Sequence, residues 1–261
     1  MKLAIYQIDA FAEKQFEGNP AAVVPLEKWL PDSVMQAIAE ENNLAETAFF
    51  VSSDSSYHIR WFTPNKEVKL CGHATLASAY VLFNILACKE DVLTFESLSG
   101  KLLVSKTDNF LTLDFPAQPP TVCNTPASLV TGLGLTPSEC LKHDDYIAVF
   151  ENEEDVLSIT PDHESLKQLD LRGVIATAPS SKFDFIARFF APKFGIPEDS
   201  VTGSAYTQLM PYWSEKFNKS KLHAKQVSER GGKLICEIKG TRVLISGSAV
   251  TYMEGSIEIK T

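Results

Sequence analysis

Hydrophobic and polar residues alternate over residues 3–9, LAIYQID, a period-two pattern that predicts a strand. Residues 33–42 carry Val34, Ala37 and Ile38 at helical spacing and predict a helix. Residues 48–52 and 57–62 read as strands. From His73 to Leu86 the chain is apolar nearly all round, which predicts a helix buried on every side. Strands follow over residues 92–96, 101–105 and 111–115. The second half repeats the order: strand, Gly203, buried helix, strands. The expected fold is α+β, two pseudo-symmetric domains, each a barrel-like mixed β-sheet around a central helix.

The repeat is also legible in the residues. Arg60-Trp61-Phe62-Thr63-Pro64 is echoed by Arg188-Phe189-Phe190-Ala191-Pro192. Cys71-Gly72-His73-Ala74 is echoed by Thr202-Gly203-Ser204-Ala205, Gly100-Lys101-Leu102 by Gly232-Lys233-Leu234, and Thr47-Ala48 by Thr177-Ala178. The pairs 64 and 192, 47 and 177, 71 and 202, 100 and 232 stand at offsets of 128, 130, 131 and 132 residues. Four matches in one order at a near-constant offset indicate duplication. Pro116, Pro119 and Pro120 mark the boundary, because proline lacks the N–H that a helix interior or central strand needs. The domains expected are residues 1–116 and residues 117–261, with the last strand free to return to the first.

Composition narrows the class. The 261 residues are 44% hydrophobic and 22% charged, as in a protein with a real core, and the net charge is −9. An acidic surface without a Lys/Arg run argues against nucleic acid as a partner. The five cysteines, Cys71, Cys88, Cys123, Cys140 and Cys236, form no CxxC pair, so neither a disulfide framework nor a zinc knuckle is expected. Residues 1–11 lack the long apolar core of a signal peptide, and residues 76–88 are too few to span a bilayer. The expectation is a cytoplasmic protein with no membrane partner.

The chemistry centres on two glycines. Gly72 and Gly203 each open a buried helix, where glycine permits close approach and the free N–H groups favour an anion such as a carboxylate. Paired by pseudo-symmetry, the two helix starts would share one cleft. Glu46 precedes an apolar strand, so it either sits at the strand's mouth or is costly to bury; near a cleft it could accept and return a proton. Counted by motif, the repeat has Ala176 in its place. His73 and Asp199 flank the helix starts, and Ser204 is the counterpart of His73. Cys71 has Thr202 as its counterpart, which excludes an opposed pair of thiol bases and makes Cys71 a buried small residue. His58, His143, His163 and His223 show no metal-ligand spacing, and residues 143–145 and 151–155 read as solvated acidic loops. Neither a dinucleotide fingerprint nor a Walker A motif occurs, so no cofactor and no metal are expected.

The motifs Asp9-Ala10-Phe11, Gly18-Asn19-Pro20-Ala21-Ala22-Val23, Asn43-Leu44-Ala45-Glu46-Thr47-Ala48-Phe49, Cys71-Gly72-His73-Ala74-Thr75 and Glu198-Asp199-Ser200-Val201-Thr202-Gly203-Ser204-Ala205 together resemble the PhzF family of phenazine-biosynthesis-like proteins. The resemblance runs over nearly the whole chain. It implies a diaminopimelate-epimerase-like fold and a cofactor-independent isomerase acting on a small carboxylated metabolite. Glu46 would be the catalytic proton carrier, with His73, Asp199, Ser204, Gly72 and Gly203 binding substrate, usually in a homodimer. The family's best-understood member isomerises trans-2,3-dihydro-3-hydroxyanthranilate. Two departures stand out: the family commonly has Pro at Ser200 and His at Tyr206, so the substrate need not be the same. A mixed-base epimerase using Cys71, and a non-catalytic metabolite-binding or interaction protein, stay open as alternatives.

Overall fold

In the computed structural model, which describes residues 1–260, the chain forms two compact units. Unit 1 comprises Met1–Asp114 and Ser246–Thr261, and unit 2 comprises Phe115–Ile245.

In unit 1 the strand Lys2–Ala10 lies between Ala249–Glu258 and Asn19–Leu26, antiparallel to both. Asn19–Leu26 runs parallel to Glu46–Ser52, which pairs antiparallel with Tyr57–Phe62. Tyr57–Phe62 is parallel to Val92–Ser97, and antiparallel hairpins through Gly100–Thr107 and Phe110–Pro116 complete the sheet. Each parallel pair needs a crossover. The helix Asp32–Asn42 supplies the first, and its Met35, Ile38 and Ala39 are buried on Val24, Phe49 and Phe62. The second is the central helix Gly72–Tyr80, in which every residue from His73 to Ala79 is buried. Its sequence, GHATLASAY, is small and apolar on all sides, which is what a helix enclosed by its own sheet requires. Truncating fully buried Leu76 to Ala should cost about 2–5 kcal/mol.

Unit 2 follows the same order. Thr121–Val122, Glu139–Lys142 and Tyr146–Val149 pair antiparallel. Tyr146–Val149 is parallel to Val174–Pro179, Val174–Pro179 antiparallel to Phe185–Ala191, and Phe185–Ala191 parallel to Lys221–Gln226, which turns into Gly232–Lys239. The short helices Glu153–Ser158 and His163–Leu166 cover one face, and Val156 and Leu166 join its buried cluster. The central helix Gly203–Phe217 forms the other crossover. It contains Pro211, which cannot donate to the carbonyl of Thr207 four residues earlier; the N–H of Gln118 takes that carbonyl instead at 3.0 Å.

Some expectations about these elements need correction. The single helix expected to Leu86 ends as α-helix at Tyr80 and continues as a π-helical turn over Val81–Ile85, closed by Leu86 N–H donating to the Val81 carbonyl at 2.9 Å. The acidic stretch at Glu151 is not all loop: Glu153, Glu154 and Asp155 form the first turn of a helix, where carboxylates meet the positive end of the helix dipole. The counterpart of Glu46 is not Ala176. Arg60 pairs across the strands with Phe49, and its repeat mate Arg188 pairs with Ala176. Three residues back from Phe49 stands Glu46, and three back from Ala176 stands Gly173. Gly173 has no room for a side chain, because a Cβ there would lie 2.7 Å from both Phe189 Cζ and the Phe190 carbonyl oxygen. Among the described residues no helix is long and apolar enough to cross a membrane.

Candidate active site

The start of the first central helix gathers three side chains. Cys71 is the N-cap residue, with extended backbone (φ −146°, ψ 110°) and no side-chain cap. The first N–H groups of the helix therefore have no intrahelical acceptor. His73, the second helical residue, is 5% exposed. Its Nδ1 lies 3.5 Å from Cys71 Sγ, and its Nε2 lies 3.1 Å from Glu46 Oε2. Glu46 opens the strand Glu46–Ser52, so the sheet delivers its carboxyl to the helix start. The 3.1 Å contact is at ion-pair distance but is not aligned as a hydrogen bond, and both buried atoms keep their bonding capacity. The indole N–H of Trp61 is also buried without an acceptor. Trp61 pairs with Ala48, two residues from Glu46, and so shares its face of the sheet.

The electrostatics favour a charged imidazole. Burial alone would pull the His73 pKa down; the adjoining Cys71 and Glu46 outweigh it and hold His73 well above its ordinary value. Burial, reinforced by Glu46, pushes the Cys71 thiol up to about 11. Cys71 is therefore a neutral thiol near pH 7. The ligand atoms of Glu46, Cys71 and His73 lie within 4.8 Å of one another.

The start of the second central helix is built differently. Thr202 is its N-cap, in the place of Cys71, and its hydroxyl donates to Asp199 Oδ2 at 2.5 Å. Fully buried Gln226 ties the segment down, accepting from Thr202 N–H at 2.9 Å and donating to the Asp199 carbonyl at 2.8 Å. Ser204 is the second helical residue, in the place of His73, and its Oγ accepts from Arg172 Nη1 at 3.0 Å. Arg172 also donates through Nε and Nη2 to both carboxylate oxygens of Asp145, which is 0% exposed. Gln208 closes this network, donating to Asp145 Oδ2 at 2.7 Å and accepting from the Asp145 amide at 3.2 Å. Tyr206, one turn in, is fully buried with its hydroxyl unpartnered, and burial with Cys236 and Asp199 nearby holds that hydroxyl well above its ordinary pKa.

Within unit 1, then, Glu46, Gly72 and His73 come together, with Cys71 beside them. Within unit 2, Asp199, Gly203 and Ser204 come together. Sequence reasoning missed Arg172, and it read Asp145 as part of a solvated acidic loop; Asp145 is instead fully buried, held by Arg172 and Gln208. The available signal was position: Arg172-Gly173 precedes the strand Val174–Pro179 as Ala45-Glu46 precedes the strand's apolar run in unit 1.

Comparison with known proteins places the chain by family and fold. A family model described as phenazine biosynthesis-like protein, PhzC-PhzF, matches residues 8–255. An uncharacterized isomerase of Pseudomonas aeruginosa is 50% identical over 259 residues, covering 99% of this chain and 100% of the relative. The crystal structure of a PhzF family protein from Enterococcus faecalis superposes with a TM-score of 0.97 at 49% identity, covering 99% of this chain and 100% of that one. A hydroxyproline epimerase from Agrobacterium vitis, at 10% identity and a TM-score of 0.62 over 98% of this chain and 92% of its own, shares the fold alone. Two repeated units of mixed sheet around a central helix thus place the protein in the epimerase-like fold class. Within that class, the chain belongs to the phenazine biosynthesis-like family, PhzC-PhzF.

Proposed function

We propose that the protein is an isomerase that moves a proton on a small carboxylated metabolite, with Glu46 as the proton carrier. The observation that carries this reading is the buried Glu46–His73 pair, in contact at 3.1 Å yet with both atoms open to a further partner. The name of the Pseudomonas aeruginosa relative supports the same class of reaction. In the forward step the Glu46 carboxylate takes a proton from a substrate carbon, and the electron pair moves into the adjoining π system. In the return step the same proton is delivered to a different carbon. Nothing is oxidised or reduced overall, so the sequence calls on no cofactor. His73, held cationic, balances the charge on Glu46 and offers an N–H to the electron-rich intermediate. Gly72, Gly203, Asp199 and Ser204 are the substrate-binding residues of this reading, the amides at each helix start suiting anionic or polar groups.

The test is deuterium uptake. Wild-type protein and Glu46→Gln are incubated with a pool of small carboxylated metabolites in heavy water, and mass shifts are read. A shifted or rearranged compound that depends on Glu46 supports the reading; full incorporation by Glu46→Gln sinks it.

A second reading, a mixed-base epimerase, has one observation in its favour, the 3.5 Å approach of Cys71 Sγ to His73 Nδ1. A buried thiol with a pKa near 11 is a weak base at neutral pH, which favours the single-base isomerase.

A further inference from the structure

The two units place opposite charges at one position. In unit 1 an acid, Glu46, meets the second residue of the central helix, His73. In unit 2 Gly173 stands in the place of Glu46, and the residue before it, Arg172, meets the second helical residue, Ser204. A cation from the neighbouring residue thus meets the helix start in unit 2 where an acid meets it in unit 1.

Arg172 is held in a defined pose. Asp145, fully buried, accepts from Nε and Nη2, Gln208 fixes Asp145 from the other side, and the Phe189 ring lies 5.3 Å from the guanidinium. Three of its five N–H groups are thereby engaged, counting the one given to Ser204. The side chain keeps 37% exposure, and one N–H on each terminal nitrogen is left over. Ser204 Oγ accepts from Arg172, which leaves its own proton free to be donated. A guanidinium stays charged at every working pH, and its paired N–H groups match the two oxygens of a carboxylate.

We propose that Arg172 is the specificity residue that reads the substrate's anionic group: its two remaining N–H groups and the Ser204 hydroxyl bind a carboxylate. The assignment rests on the reading of Ser204 as a substrate-binding residue. Arg172 touches the substrate but moves no proton, and Asp145 acts through it as a positioning residue.

The experiment compares benzoate with benzamide, which share a shape and differ in charge, by titration calorimetry on the full chain. Wild type should bind benzoate in preference to benzamide. Arg172→Gln should lose that preference through a benzoate affinity about tenfold or more weaker. Arg172→Lys, which keeps the charge and loses the fork, should fall between the two. Arg172→Gln strands a buried carboxylate, so the double variant Asp145→Asn/Arg172→Gln, which removes both charges, guards against misfolding. A double variant that binds benzoate as tightly as wild type overturns the proposal. So does a wild type that shows no preference for benzoate. Deuterium exchange by Glu46→Gln reports on the isomerase reading separately, so the two can fail independently.

Discussion

At the start of the first central helix a buried histidine faces a carboxyl; at the start of the second a serine faces a guanidinium. The frames are alike: both helices begin with glycine after an extended N-cap residue, and both are crossovers between parallel strands. The pairing of Arg60 with Glu67 in unit 1 is matched by that of Arg188 with Glu198 in unit 2, each bidentate. The scaffold was thus retained while the side chains at the helix starts diverged. One start holds a buried carboxyl and an imidazole in contact at 3.1 Å, with a thiol beside them. The other holds the guanidinium of Arg172, the hydroxyls of Thr202 and Ser204, and the carboxylate of Asp199, which accepts from Thr202. The proposed isomerase uses that asymmetry, with Glu46 as its proton carrier.

The comparison can be broken most severely at Glu46. Glu46→Gln should lower proton exchange by about 10²–10⁴-fold, the usual weight of a general acid–base group, while Ser204→Ala should act mainly on substrate affinity, as separate kcat and KM measurements would reveal. Next in size is a stability effect. Asp145→Ala leaves the Arg172 fork and the Gln208 amide without their shared acceptor and should cost about 1.5–3 kcal/mol in urea unfolding. An unchanged midpoint would show that Asp145 does not hold the fork.

A third prediction concerns pH. The folded pKa of His73 stands above its ordinary 6.5, so the pair's contribution to stability is complete below about 6.5 and is lost as pH rises through the raised folded value. The Tm advantage of wild type over His73→Gln should therefore shrink on the alkaline side; an advantage that grows there contradicts the sign. The smallest effect is expected at Cys71. Cys71→Ser should leave exchange within about threefold of wild type, because the neutral thiol is not the base. A loss as large as that of Glu46→Gln would favour the mixed-base epimerase.

Much of the frame was legible in the sequence, because the first central helix is apolar on nearly all sides, each central helix opens on a glycine, and the strand pattern recurs in order. The meeting of Glu46, Gly72 and His73 was also within reach, since a glycine-led helix and an acid before an apolar strand are local signals. What the sequence hid is set by cross-strand register. Motif matching aligned Thr47-Ala48 with Thr177-Ala178, but the strands pair so that Ala176 answers Phe49 and Gly173 answers Glu46. A shift of three residues separates the two alignments, and only the hydrogen-bonded ladder distinguishes them. Arg172 was invisible for a related reason: an arginine before a strand reads as a solvated loop cation until the buried Asp145, 27 residues earlier, is seen to hold it.

The charge state of His73 tests the account most directly and needs no substrate. With ¹⁵N-labelled histidine, both ring nitrogens of His73 should be protonated at neutral pH in the wild type, and the ring should become neutral in Glu46→Gln. A His73 that is already neutral at pH 7 in the wild type, or that titrates identically in the two proteins, would contradict the proton-handling pair on which the proposed isomerase depends.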